Sequence, residues 1–254
     1  MDIQAGVAII TGSSSGVGAA CARQFAELGC HVAINYAHNA EGADATRKLC
    51  ESFGVDTVMV QADVSNDADC RRLVQTAEEK WGRVDVLINN SGTTKFCAHD
   101  DLEGLTQQDF LDLYKVNTVG AFQMVRAVTP LMQRGGRGSI VNVASIAAVT
   151  GIGSSIAYAA SKGAMLTMTR SLARVLGPEI RVNAVCPGFI QGEWLEQGLG
   201  SDTYNSIKAS IESRAPLAKT ATADSVAQVI LSLTTGADIV TGESLILDAG
   251  MFLN

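Results

Sequence analysis

The sequence predicts an α/β domain, a doubly wound parallel sheet with helices on both faces. Three observations lead there. Short apolar, β-branched runs alternate with segments of helical periodicity, and the runs are continuously apolar, as in strands buried on both sides. No Pro/Ser-rich linker and no internal repeat divides the 254 residues, so the alternation describes one domain over 1–254. A glycine-rich turn joins the first strand to the first helix, a place where such sheets hold ligands.

Val7-Ala8-Ile9-Ile10 is the first strand and ends at Gly12. Residues 17–28 place Val17, Ala20, Cys21, Phe25 and Leu28 at helical spacing, and Gly29 stops them. His31–Asn35 reads as a strand, 41–53 as a polar helix, 55–60 as a strand, 67–81 as a helix and 84–88 (VDVLI) as a strand. Residues 107–133 carry a long helical pattern that is broken or ended near Pro130, because proline lacks the N–H and crowds the preceding turn. Ser139–Val143 is a strand, 156–176 a helix, Arg181–Val185 a strand, 223–234 a helix and 243–247 the last strand. The least regular stretch is 188–222, with one helix near 203–213. Such stretches in compact domains are lids or disordered segments, and a substrate lid over 189–215 is expected.

Composition narrows the function. The chain is 47% hydrophobic and 18% charged, too apolar for a disordered protein. A net charge of −7 argues against nucleic acid as a partner, because its binders present a basic face. No apolar run approaches the roughly 20 residues of a membrane span, and Met1-Asp2-Ile3-Gln4 lacks the features of a secretory signal. A soluble, cytoplasmic protein is expected. Cys21, Cys30, Cys50, Cys70, Cys97 and Cys186 form no C-x-x-C pair and read as reduced, packed thiols. His31, His38 and His99 form no H-x-x-x-H pair, so no metal site is expected.

Three places carry chemistry. Thr11-Gly12-Ser13-Ser14-Ser15-Gly16-Val17-Gly18 lets backbone N–H groups approach a phosphate, with the helix N-terminus adding donors and a favourable dipole. No Lys-Ser/Thr follows, so it is not a Walker phosphate loop. The same stretch also satisfies G-x-S-x-G with Ser14 at its centre. A Ser14 hydrolase would need a histidine late in the chain, and the last one is His99. Tyr158 and Lys162, four residues apart, share a helical face. A free phenol titrates near 10, and a neighbouring ammonium favours the phenolate, making tyrosine a usable acid or base. Ser145, at a strand end, is placed to hydrogen-bond the reacting oxygen. Asn89-Asn90-Ser91-Gly92 follows a strand at the sheet's carboxyl end. Asn117 lies in a helical pattern where asparagine is a mediocre former, either as a kink or solvent-facing residue or as a polar group of the site.

Together these residues resemble the short-chain dehydrogenase/reductase family in its form of about 250 residues. The matches are T-G-x-x-x-G-x-G at 11–18, Asp63-Val64, N-N-x-G at 89–92, Asn117, Ser145, Y-x-x-x-K at 158–162, Pro187-Gly188 and Thr241-Gly242. The resemblance implies a Rossmann-type fold with seven parallel strands and a nicotinamide cofactor. Tyr158 is then the proton donor in ketone reduction, and Lys162 holds the ribose hydroxyls and lowers the tyrosine pKa. Ser145 polarises the substrate oxygen, and Asn117 holds a water that links Lys162 to solvent. Gly12, Gly16 and Gly18 line the pyrophosphate, Ser14, Ser15 and Val17 are further cofactor-binding residues of the same turn, and Asp63 and Val64 contact the adenine. Asn90 contacts the nicotinamide ribose and Pro187-Gly188 the nicotinamide, with Ser91, Gly92 and Ile190 as further cofactor-binding residues. Ser91 stands where the family usually has alanine, and Gln191 where a threonine often contacts the nicotinamide amide.

The cofactor reading turns on the end of the second strand, where an acidic residue would select NAD. Tyr36 stands there. Asn35, Ser14, Ser15, His38 and Asn39 are candidate donors to a 2′-phosphate, although no Arg or Lys stands nearby in sequence. The expectation is NADP(H), with NAD(H) as the alternative. Phe96, Phe189, Trp194, Leu195, Leu199 and Tyr204 either line a partly apolar pocket or pack the lid on the body. The overall pattern looks most like 3-oxoacyl-carrier-protein reductases, and Arg126, Arg134 and Arg137 are candidates for a basic patch facing an acidic carrier, although net charge −7 opposes that encounter. Expected, then, is a carbonyl reductase acting on a small-molecule ketone, with a 3-oxoacyl thioester as the leading substrate. An NAD-dependent alcohol, sugar or polyol dehydrogenase and a non-catalytic dinucleotide sensor are the alternatives. The family usually assembles as a tetramer through the helices at 107–133 and 156–176, so a homotetramer is expected.

Overall fold

The computed structural model describes residues 1–253. Strands β1 (Val7–Ile10), β2 (His31–Tyr36), β3 (Thr57–Gln61), β4 (Val86–Asn89), β5 (Gly138–Val143), β6 (Ile180–Pro187) and β7 (Ser244–Leu247) form one sheet in the order β3-β2-β1-β4-β5-β6-β7. Every neighbouring pair is parallel. This is the Rossmann-type arrangement, and the strand order reverses direction between β1 and β4.

Alternation along the strands sorts side chains into two cores. Ala8, Ile10, Val32, Ile34, Val86 and Ile88 pack against α1 (Gly16–Glu27), α2 (Ala40–Glu51) and α10 (Ala223–Thr235). Val7, Ile9, Ala33, Leu87 and Ile140 pack on the other face against α3 (Asp67–Trp81), α5 (Ala121–Arg134) and α7 (Ile156–Leu176). Burial on both faces is why the strands are apolar at consecutive positions. The remaining helices are α4 (Gln107–Tyr114), α6 (Ala147–Thr150), α8 (Glu193–Leu199) and α9 (Ser201–Arg214).

The long pattern at 107–133 is not broken at Pro130. Helix α5 passes through that residue to Arg134, because Met124, Val125, Val128, Leu131 and Met132 are buried along one face and hold the helix despite the lost N–H. The discontinuity lies upstream, where Lys115–Gly120 is a π-helical turn between α4 and α5. The stretch at 188–222 is more regular than its composition suggests and contains both α8 and α9. No helix among the described residues is long and apolar enough to cross a membrane.

Candidate active site

The site forms at the carboxyl ends of β1, β4, β5 and β6, on both sides of the point where strand order reverses, as expected for open α/β sheets. Its frame is a set of buried polar bonds. Thr11 Oγ1 accepts from Asn90 N at 2.9 Å and from Ser91 N at 3.0 Å. Asn90 Nδ2 donates back to Thr11 O and Gly12 O at 2.9 and 3.0 Å. Gly12 stands at φ +63, and a Cβ on Gly18 would overlap the Gly12 carbonyl, so helix α1 starts hard against the turn only because both are glycine. Ser15 caps α1 without a side-chain hydrogen bond, and the first-turn N–H groups have no intrahelical partner. They point at the cradle a pyrophosphate would fill. The residues present therefore fit a dinucleotide.

Asn35 is a correction. It is buried, with Oδ1 accepting from Gly12 N at 3.0 Å and Nδ2 donating to Ala62 O at 2.9 Å. It braces the turn from beneath and offers nothing to a 2′-phosphate. Asn39 is also engaged, since its Oδ1 accepts from Gly42 N at 2.9 Å as the cap of α2. Half-buried Tyr36 ends β2 beside Ala37 and exposed His38. Arg47, on α2, is held by Asp44 and Glu51 at 2.6 and 2.8 Å. Asp63 Oδ1 accepts from Ser65 N at 2.9 Å. Val64 is buried in the core, and its carbonyl accepts from Gln123 Nε2 at 2.7 Å.

The catalytic candidates converge. Ser155 Oγ caps α7 by accepting from Tyr158 N at 3.2 Å, which fixes the helix phase and brings Tyr158 and Lys162 onto the face toward β5. Lys162 Nζ donates to Val143 O at 2.8 Å and lies 5.9 Å from the Tyr158 ring centroid. The Ser145 hydroxyl accepts from Ala147 N at 3.1 Å, and it lies near enough to the Tyr158 hydroxyl to favour the ionised phenol. Asn117, in the π turn, is buried. It accepts from Thr93 N at 2.8 Å and donates to Thr93 O and Ser161 Oγ, both at 3.0 Å. A Cβ on Gly92 would stand 3.3 Å from Asn117 Oδ1 and 3.4 Å from Lys162 Nζ, so the chain passes close to both groups here. Thr93, Ser155 and Ser161 were not singled out from sequence. The Ser155 cap immediately before a helical run was a readable signal, whereas the partners of Asn117 depend on the tertiary fold.

Electrostatics depart from expectation. Burial raises the Tyr158 pKa above the ordinary tyrosine value, with the Ser145 hydrogen bond pulling the other way. Burial also lowers Lys162 to about 8. The ammonium does not by itself bring the phenol into the working range, because both groups are removed from water together.

Pro187 and Gly188 follow Cys186 at the end of β6, with Gly188 N donating to Leu247 O at 2.9 Å. Ile190 bridges Ala221, and Gln191 Nε2 is taken by Thr220 Oγ1 at 2.9 Å. Of the aromatic candidates, Phe189 and Tyr204 pack on one another at 5.0 Å, and Phe96 meets Trp194 at 6.2 Å. Leu195 and Leu199 are half-buried. The proposed basic patch is not a patch. Arg126 pairs with Asp67 at 2.5 Å, Arg134 with Glu78, and Arg137 lies 3.4 Å from Asp85. Arg134 and Arg137 also precede β5, at the opposite end from Ser145. His99 Nε2 lies 3.0 Å from Gly153 O, which ties the last histidine to the Tyr158 side. Among the described residues no group of three or more His, Cys, Asp or Glu side chains could hold a metal ion.

A glycine-rich turn joined to a Tyr, Lys and Ser cluster on a reversing parallel sheet is the arrangement of a dinucleotide-dependent oxidoreductase. The chain belongs to the short-chain dehydrogenase/reductase family, and residues 12–252 match the family described as enoyl-(acyl carrier protein) reductase. It is 40% identical over 250 residues to a Streptomyces violaceoruber protein named provisionally as ketoacyl reductase 2 of the granaticin polyketide synthase, covering 98% of this chain and 97% of that one. It is 31% identical over 248 residues to the 3-oxoacyl-(acyl-carrier-protein) reductase FabG of Staphylococcus aureus, covering 97% and 98%. NAD+-bound xylitol dehydrogenase superposes with a TM-score of 0.90 at 27% identity, covering 98% of this chain and 100% of the other.

Proposed function

We propose that this protein reduces a ketone to a secondary alcohol with NADP(H). Bound in the cleft, the cofactor supplies the hydride. The chain's own residues do the rest. The turn at Gly12–Gly18 and the start of α1 hold the pyrophosphate, and Gly92 leaves room for the ribose beside Lys162. Ser145 holds the substrate oxygen and Tyr158 donates its proton to it. Asn117 positions the Thr93 backbone against this group. Segment 189–215 is the lid of a single domain. The observation that carries the reading is the placement of Tyr158 and Lys162 beside the Gly92 segment, whose Asn90 is bonded to the glycine turn at Thr11 and Gly12.

The ketoacyl names of two relatives support a 3-oxoacyl thioester as substrate. With Arg126, Arg134 and Arg137 already paired, the carrier-free thioester or a simpler ketone is the better first screen. Tyr36 in place of an acid supports NADP(H). The resemblance to an NAD+-bound polyol dehydrogenase, and the capture of Arg47 by two carboxylates, support NAD(H) as the second reading. Melting-temperature shifts separate them: at 100 times its Kd a ligand adds about 2.7 kcal/mol, and the larger shift is expected with NADP(H). Tyr158→Phe tests the chemistry. It is expected to keep that shift while losing most turnover, by about a hundredfold or more for an acid–base group. Undiminished reduction by the variant would reject the mechanism.

A further inference from the structure

Segment 93–99 ties separate parts of the site together. Thr93 grips Asn117, and the Thr94 hydroxyl meets that of Ser154. Lys95 pairs with Asp109 at 2.7 Å, and Cys97 N donates to Ser154 O at 2.8 Å. With His99 on Gly153, the segment is fastened to the residues leading directly into the Ser155 cap and Tyr158. One side chain in it, Phe96, reaches α8. That helix has no buried residue and runs between Gly192 and Gly200, at φ +150 and +77. Phe96 meets it twice: its ring lies 6.2 Å from that of Trp194, and it occupies the place where a Cβ on Gly198 would stand.

We propose that Phe96 and Gly198 form the seat on which α8 closes over the cleft, with Phe96 a positioning residue that registers the lid against the catalytic groups. The kinetic part rests on the reductase reading; the structural part does not. The sign of one substitution separates this from a passive contact. Alanine is a better helix former than glycine, so with no seat Gly198→Ala stiffens α8. With the seat, the added methyl overlaps the outer end of the Phe96 ring, so ring and helix must part and α8 loses the contact that holds it.

The test is limited proteolysis of the full-length protein with a glutamate-specific protease, following cleavage at Glu193 and Glu196 by mass. Gly198→Ala is expected to be cut there at least about tenfold faster than wild type, with its melting temperature retained. Its kcat should fall and its KM rise together. Phe96→Ala should also be cut faster. Phe96→Ala/Gly198→Ala should be cut no faster than Phe96→Ala alone, because the methyl then has no ring to meet. Unchanged or slower cleavage of Gly198→Ala, or additive effects in the double variant, would overturn the seat. A wild type that reduces no ketone would reject the reductase reading instead, and the cleavage rates would still decide the seat.

Discussion

Lys162 is 3% exposed, and its ammonium donates to Val143 O with no carboxylate paired to it among the described residues. Burial of a lone cation opposes folding, and the lowered pKa, about 8, is the same effect seen in titration. Lys162→Met is therefore expected to stabilise the fold by about 1–3 kcal/mol near neutral pH while removing turnover. The sign with pH follows from linkage. Below about 8 the lysine is charged in both folded and unfolded chains, and the burial penalty is present in full. Between that value and the ordinary 10.5 the unfolded chain binds more protons, so wild-type stability rises with pH. The melting-temperature gap between variant and wild type should be widest below pH 8 and narrow toward pH 10; a gap constant across that range would show that the lysine is not buried as a cation. Lys162 was legible from its spacing to Tyr158, but Asn35 was not. Its place beside Tyr36 suggested a donor to a 2′-phosphate, and only the fold shows Oδ1 turned under Gly12.

At the scale of elements, legibility followed the strength of end signals. Helix α3 begins at the Asn66 cap, whose side chain accepts from Ala68 N, and ends at Gly82 with φ +70. Helix α7 begins at the Ser155 cap. Both were placed from sequence to the residue. The π turn at Lys115–Gly120 has no local signature. It is fixed by tertiary bonds, among them Asn117 to Thr93 and Thr118 Oγ1 to Ser161 O at 2.9 Å, and π insertions cluster at functional sites. Helix α8 has no fully buried residue, so apolar periodicity gave little sign of it. Pro130 misled for the opposite reason: a strong local breaker lost to a buried face. That residue is exposed, so Pro130→Ala should restore the bond to the Arg126 carbonyl without disturbing the core. An increase in stability of about 1 kcal/mol or more is expected from denaturant unfolding. A loss would mean that proline's restriction of the unfolded chain outweighs the strain in the helix.

Across the whole molecule, what remains open is the outer face of the same helices that carry the site. Tyr114, Val119 and Phe122 are 46, 37 and 43% exposed. They border a groove of about 550 Å³ completed by Ala164, Thr167, Met168 and Ser171 on α7. Small residues there allow close helix approach, and large apolar side chains beside them favour a partner over water. A second copy presenting the same face satisfies both demands, since a two-fold contact is self-complementary. We propose this groove as a helix-to-helix contact of the expected tetramer, and it backs onto the π turn whose inner side holds Asn117. Phe122→Glu should therefore act on assembly first, because a carboxylate in an apolar contact must give up its water, even with Arg126 5.7 Å from the ring position one turn on. Wild type should elute in gel filtration well above the 26.5 kDa of one chain, at four copies, and the variant at a smaller size. If α4, α5 and α7 hold the π turn more firmly when paired, the dissociated variant should also lose turnover and bind NADP(H) more weakly. Full activity from a monomeric variant would show that one chain's own packing holds Asn117 in place.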